Sequence, residues 1–300
     1  MPELPARSPI GGHALVASAA LLWSLGGVVT KGLKPLDGVT IAFYRSLFAG
    51  VALLPFIPRT KWTFRPAMMP VMLIFGIMVG FYVSSVTLTT AANAILLQYS
   101  CVFWTVPIAA LVLGERPDRR TLLAAAVASA GIAAIVAYGR KGTPGEGLGI
   151  VLGLASGVGY ATVIVAFRAF RSADAGWLSA VCNLGGAVTL GCYAAIATGG
   201  IAIPTGRQAV ALALFGIVQM AIPYWLFARG MRSIGAAEAA LISLLEPILG
   251  PIWVALVHRE FPAPFTLVGG GILLAGVAIK YVPWGGTAIT PGGSGSEPGP

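Results

Sequence analysis

Residues 91–134, AANAILLQYSCVFWTVPIAALVLGERPDRRTLLAAAVASAGIAA, and residues 236–279, AAEAALISLLEPILGPIWVALVHREFPAPFTLVGGGILLAGVAI, decide the fold, because one reads as a second copy of the other. A shift of 145 places Ala92, Ala94, Leu96, Ala110, Leu111, Glu115, Pro117, Thr121, Leu122, Ala130, Gly131 and Ala133 on identical residues at Ala237, Ala239, Leu241, Ala255, Leu256, Glu260, Pro262, Thr266, Leu267, Ala275, Gly276 and Ala278. Upstream, a shift of 137 pairs Gly12 with Gly149, Trp23 with Tyr160 and Lys31 with Arg168, and a shift of 143 pairs Phe81-Tyr82 with Tyr224-Trp225. Self-similarity running through both halves marks a duplicated unit.

The composition says where such a unit lives. Of 300 residues, 57 % are hydrophobic and 10 % charged, with mean hydropathy +0.87, whereas soluble domains carry about a quarter charged residues. Apolar runs between charged or Pro/Gly-rich punctuation give ten segments, from Ile10–Lys31 to Ala263–Val282. Each is long enough to cross about 30 Å of hydrocarbon at 1.5 Å per residue. The sequence therefore predicts an all-α integral membrane protein with ten transmembrane helices. They fall into a first five-helix repeat over 10–138, a linker at 139–147 and a second repeat over 148–282, with a short N-terminus at 1–9 and a disordered Gly/Ser/Pro-rich tail at 283–300. No small-residue cleavage site follows the first apolar run, so that helix is expected to stay.

Lys and Arg set the expected orientation, since positive loops stay on the cytoplasmic side. An inside N-terminus gathers twelve of them on one face (Arg7, Arg59, Lys61, Arg65, Arg116, Arg119, Arg120, Arg168, Arg171, Arg229, Arg232 and Lys280) and six on the other (Lys31, Lys34, Arg140, Lys141, Arg207 and Arg259). Both termini are thus expected in the cytoplasm, and the Ala/Gly-rich composition suggests a plasma (inner) membrane. An odd number of helices per repeat inverts the second copy. Inverted repeats are a recurrent carrier construction, because two similar halves that exchange conformations expose one midplane site to either side in turn.

Other classes lack their chemistry. The net charge of +9 sits in loops without a basic stripe interleaved with exposed aromatics, so no nucleic acid is expected. Cys101, Cys182 and Cys192 lie in apolar runs without metal-ligand spacing and read as packing residues. No GK[ST], HExxH or GxSxG occurs, the aspartates are in loops, and His13 and His258 lie near segment ends, so neither enzyme activity, nucleotide use nor a cofactor is expected. Gly145, Gly149, Gly153 and Gly157, spaced by four, read as a packing stripe.

Leu113-Gly114-Glu115-Arg116-Pro117 and its partner Arg259-Glu260-Phe261-Pro262 resemble the helix-ending Glu of the drug/metabolite transporter superfamily, in its ten-helix EamA branch. Leu244-Leu245-Glu246-Pro247-Ile248 is similar to the Glu-Pro element of that family's ninth helix, and Phe43-Tyr44-Arg45 to its second-helix Arg. The resemblance covers about Gly12 to Val282. It implies a ten-helix inverted-repeat exporter with a central cavity lined mainly by helices 1, 3, 4, 6, 8 and 9. The aromatic content is similar to that of the family's aromatic-amino-acid exporters.

Ionisable residues at membrane depth cost roughly 2.5–3.5 kcal/mol each on insertion scales and need a reason to be there. Glu246 lies near mid-membrane beside Pro247, which frees the Ser243 carbonyl from its helical bond, so carboxylate and carbonyl could together hold an ammonium group. The alternative is that Glu246 braces a neighbouring helix. Ser243, Glu246, Gly250 and Trp253 share a helical face. Arg45, six residues inside the second segment, reads as a structural anchor, close enough to the outer interface or to a neighbouring helix to be partly solvated by snorkelling. In the fourth segment Asn93 and Gln98 are candidates for a substrate carboxylate or amine, weighed against interhelical hydrogen bonds, on a polar arc with Ser100 and Thr105 broken by Pro107.

Trp62, Tyr138, Trp177, Tyr281 and Trp284 read as interfacial belt, while Trp23, Tyr99, Trp104 and Tyr160 fall near mid-helix and Tyr82 and Trp225 somewhat nearer the ends. Rings around a cavity would suit aromatic or apolar side chains. The sequence thus predicts an alternating-access exporter of small amphipathic metabolites, aromatic or other neutral amino acids first. A multidrug or other metabolite carrier is the alternative, and a passive channel the alternative of another class. The partners are a small-molecule substrate and the lipid bilayer, with Glu246 the group through which proton coupling would run. The sequence sets no oligomeric state.

Overall fold

The computed structural model describes residues 9–114, 119–138, 142, 144–170, 172–230, 242–243 and 245–281. The expected tail, Glu115, Arg116, Pro117 and the 231–241 stretch lie outside them. Among the described residues every regular element is helical: α1 (Pro9–Ser24), α2 (Gly26–Gly32), α3 (Gly38–Leu53), α4 (Met68–Leu88), α5 (Ala91–Gln98), α6 (Cys101–Leu113), α7 (Arg119–Tyr138), α8 (Glu146–Ala169), α9 (Ala175–Ala197), α10 (Gly206–Gly216), α11 (Ile222–Gly230), α12 (Leu245–His258) and α13 (Pro264–Tyr281). Eight stretches are long and apolar enough to cross a membrane, with α1–α2, α5–α6 and α10–α11 each counting as one, and shorter apolar helices follow at Leu245–His258 and Pro264–Gly276.

The helices start where the sequence supplies caps, since the first backbone N–H groups of a helix need acceptors. Asp37 Oδ1 accepts from the Val39 and Thr40 N–H groups at 2.9 and 3.0 Å. Thr90 Oγ1 accepts from Asn93 N–H at 3.1 Å, and Thr205 forms a reciprocal capping box with Gln208. Gly114, at φ 68°, ends α6 in the left-handed region open to glycine.

The surface is inverted relative to a soluble protein. Leu111, Ile196 and Ile203 are 86 %, 87 % and 91 % exposed, while Arg45, Ser46, Ser85, Asn93 and Asn183 are buried. In water such an apolar surface would aggregate; facing lipid tails it carries no penalty. The chain is a multi-pass membrane protein.

Buried small residues let helices approach closely. α4 packs on α8 and α9, α3 on α9 and α10, α1 on α11 and α12, α5–α6 on α8, α12 on α2, and α7 on α13. The Gly149, Gly153 and Gly157 stripe faces α4 and α5, with Leu88, Thr89, Leu97 and Ser100 against it, and Ser85 Oγ donates to the Gly149 carbonyl at 2.7 Å. Cys101 and Cys182 are buried as packing residues, whereas Cys192 is exposed. Trp62 and Trp177 stack with centroids 5.0 Å apart, and Trp177 Nε1 donates to the Thr63 carbonyl at 2.7 Å.

Two predictions follow from this packing. A Cβ on Gly131 would lie 2.6 Å from the backbone nitrogen of Leu273 and against the Gly269 carbonyl, whereas one on Gly271 meets nothing within 4 Å. Backbone cannot yield as a side-chain tip can, so Gly131→Val should cost about 1–3 kcal/mol and lower the Tm of detergent-solubilised protein, with Gly271→Ala close to wild type. Asp174 caps α9 through Gly176 and Trp177 N–H groups and pairs with Lys61 Nζ at 3.1 Å. Burial alone would raise its carboxyl, but the Lys61 ammonium and the two N–H groups outweigh it and hold it below the usual value of 3.8. A depressed carboxylate stabilises above its unfolded value and loses that contribution as pH falls through the folded one. The Tm deficit of Asp174→Ala should therefore persist from pH 7 to about 5 and close below 3.8.

Candidate functional site

Three of the long spans are interrupted, and the interruptions meet. α1 gives way to α2 at Leu25, whose N–H turns back to the Leu22 carbonyl at 3.3 Å. α5 and α6 are separated by Tyr99 and Ser100, where Ser100 N–H reaches the Leu97 carbonyl at 3.0 Å. A π-helical turn at Ile217–Ala221 joins α10 to α11. Non-helical backbone at membrane depth persists where protein rather than lipid surrounds it. At this level lies a narrow cavity of about 60 Å³ lined by Trp23, Arg45, Met78, Val79, Tyr82, Gln98, Tyr99, Tyr160, Gln219, Met220, Tyr224 and Glu246.

Six of these, Trp23, Tyr82, Gln98, Tyr99, Tyr160 and Glu246, are sequence-predicted candidates, and the fold brings them together. Tyr99 Oη lies 3.3 Å from Glu246 Oε2 and 3.4 Å from the Ser243 carbonyl, so its single proton serves one acceptor at a time. Trp23 meets Tyr224 edge to face at 5.3 Å. The cavity draws on the helices the resemblance implied and, through Arg45, on α3 as well.

Of the two settings expected for Arg45, the structure gives the neighbouring helix rather than the interface: it is 3 % exposed, faces the cavity and reaches Gln219. Its guanidinium carbon lies 5.1 Å above the Phe215 ring, Nη1 donates to Gln219 Oε1 at 3.4 Å, and Nε is buried without a hydrogen-bond partner. Gln219 is itself held, its Nε2 donating to the Trp23 carbonyl at 3.0 Å. Gly26 permits that approach, since a Cβ there would stand 2.8 Å from Gln219 Nε2.

Other candidates lie elsewhere. Asn93 is fully buried between helices, its Oδ1 accepting from Thr266 Oγ1 at 2.8 Å and its Nδ2 donating to Thr89 Oγ1 at 3.3 Å. Trp104 packs edge to face on Phe103 at 4.8 Å. Trp225 is 45 % exposed, with the Arg229 guanidinium 4.5 Å over its ring. Its neighbour Tyr224 takes the cavity position instead. Gln219 and Tyr224 are five residues apart, off a common face on a regular helix, and the wider π turn between them brings both to the cavity.

Beyond the cavity, one end of the bundle is bolted. Lys31 Nζ, at the end of α2, pairs with Glu260 Oε2 at 2.8 Å and donates to the Thr89 carbonyl at 2.7 Å. Glu260 Oε1 accepts from Ala91 N–H at 2.8 Å.

The sequence profile of the EamA-like transporter family matches this chain twice, over residues 10–137 and 147–282. Two uncharacterized transporters of Archaeoglobus fulgidus are similar: one is 29 % identical over 275 residues, covering 90 % of this chain and 96 % of its own, and the other is 27 % identical over 281 residues, covering 88 % and 95 %. A solved crystal structure shares the fold with TM-score 0.65 at 18 % identity, covering 91 % of this chain and 98 % of that one.

Placement separates the rings into two groups with different expected effects. Tyr99→Ala and Tyr82→Ala should lower transport at least about tenfold, as loss of contacts worth 1.4 kcal/mol or more would. Trp225→Ala, whose ring borders an apolar surface cleft with Leu53 and Phe56, should stay within about twofold. Transport rates in proteoliposomes, normalised to inserted protein, provide the comparison.

Proposed function

The chain belongs to the EamA-like transporter family, and we propose that it is an alternating-access exporter of small amphipathic metabolites, neutral and especially aromatic amino acids, in a plasma membrane with both termini in the cytoplasm. The observation that carries the reading is the buried, ring-lined cavity holding one acid and one base where interrupted helices from both matched segments meet. Rings give apolar side chains stacking surfaces, and the polar groups orient a small ligand.

In this reading the architecture is two inverted five-helix repeats. The helix pairing supports it, because exchanging the halves converts α4 on α8 into α11 on α1, and α5–α6 on α8 into α12 on α1–α2, while α3 on α9 and α7 on α13 map onto themselves. The Lys31–Glu260 bolt then closes the outer end of the pathway. Its repeat mates in the sequence are Arg168 and Glu115.

Reconstituted protein should accumulate labelled phenylalanine or leucine by counterflow; no movement of any amino acid, with lipid and orientation controlled, overturns the substrate reading. If Glu246 carries a coupled proton, Glu246→Gln should abolish acceleration by a pH gradient and leave equilibrative exchange intact. Unchanged pH dependence would reject that coupling.

A further inference from the structure

We propose that Arg45, positioned by Gln219 on the π turn, forms a carboxylate subsite separate from the Glu246–Tyr99 pair, so that the cavity selects molecules bearing both a carboxylate and an ammonium group. The inference rests on the transport reading above and narrows its substrate to zwitterions.

A guanidinium presents five N–H donors and keeps its charge. That of Arg45 is buried, makes one long hydrogen bond to Gln219, and leaves Nε without a partner on the cavity wall. Tyr99 engages Oε2 of Glu246 on the same cavity. The close ion pairs among the described residues are Lys31–Glu260 and Lys61–Asp174; Arg45 and Glu246 attract each other across the cavity while their hydrogen bonds go to Gln219 and Tyr99. Two opposite charges lining one cavity, each with its own neutral partner, are the groups that one ligand bearing both charges would engage. A zwitterion pairs each charge and keeps the cavity neutral overall. An amine leaves the guanidinium uncompensated, and a simple acid leaves the carboxylate so; each bears the desolvation penalty of an unpaired buried charge. Arg45 is the single cation among the lining residues, which suits a carboxylate rather than a phosphate dianion. Gln219, tied to the Trp23 carbonyl, fixes where the guanidinium points.

The test uses the full chain in proteoliposomes, with counterflow of labelled L-phenylalanine competed by L-phenylalanine, phenethylamine (no carboxylate) and 3-phenylpropionate (no ammonium). The amino acid is expected to compete at least tenfold more strongly than either analogue, a comparison that needs only the wild-type protein. Arg45→Gln should raise the KM for phenylalanine at least tenfold and erase its advantage over phenethylamine. Gln219→Glu places an internal carboxylate against Arg45, so it should raise the KM for phenylalanine while leaving competition by phenethylamine at least as strong, a split that general damage to the fold would not give. Equal competition by the amine, or an unchanged KM in Arg45→Gln, overturns the subsite while leaving the carrier intact. Movement of ethidium but of none of the three probes keeps the carrier reading and overturns this one; no movement of any solute overturns both.

Discussion

A guanidinium that cannot shed its proton lies among helices whose outer faces belong to hydrocarbon, and much of the bundle is arranged around keeping it solvated by protein. Insertion scales put a centrally placed arginine at a few kcal/mol, so Arg45 persists only because neighbours replace water: the Gln219 amide, the Phe215 ring face and the hydroxyl-bearing rings of the cavity. The broken helices stand beside it. A regular helix satisfies its own backbone and offers a buried charge little. Interruptions at Leu25, at Tyr99–Ser100 and at Ile217–Ala221 turn carbonyls and side chains inward. The Trp23 carbonyl, at the open end of α1, is the acceptor that fixes Gln219.

The same breaks hold α12 in place. Trp253 Nε1 donates to Ser24 Oγ at 3.0 Å, and Ser24 Oγ donates to the Leu21 carbonyl at 2.7 Å. The face of α12 shared by Glu246, Gly250 and Trp253 therefore lies on the α1–α2 interruption, and the bond that anchors Trp253 helps set where Glu246 stands. Packing and site are one arrangement here: a shift of α12 along α1 would move the carboxylate relative to the guanidinium.

Helix content, membrane class and the apolar segments were legible because hydrocarbon thickness and backbone satisfaction act on every span alike and leave long apolar runs. Depth was legible too, which is why Trp23, Tyr99, Tyr160 and Glu246 were found at one level. Rotation was not. A helix apolar on all sides carries no periodic signal for which face looks inward, so Trp104 at the right depth turned to Phe103, and Asn93 to Thr266. Tyr224 was missed for a further reason, since a π turn adds a residue to the repeat and its effect on register leaves no mark in composition. The signal that could have found Arg45 was its distance from the segment end taken together with the cost of burial.

The bolt at the other end follows different physics from the cavity. Lys31 and Glu260 side chains are 8 % and 22 % exposed, and each also engages backbone, Lys31 the Thr89 carbonyl and Glu260 the Ala91 N–H. Separating such a pair without water would strand two desolvated charges; separating it as water enters hydrates both. The pair is therefore stable when that end is dry and dispensable when it is wet, with few comfortable states between. Arg45 and Glu246 instead line the cavity with other partners, Gln219 and Tyr99. A charge pair that closes on itself and two charged groups that line the central cavity are the two elements the proposed alternating-access reading requires, the first at the end of α2 and the second beside the interrupted helices.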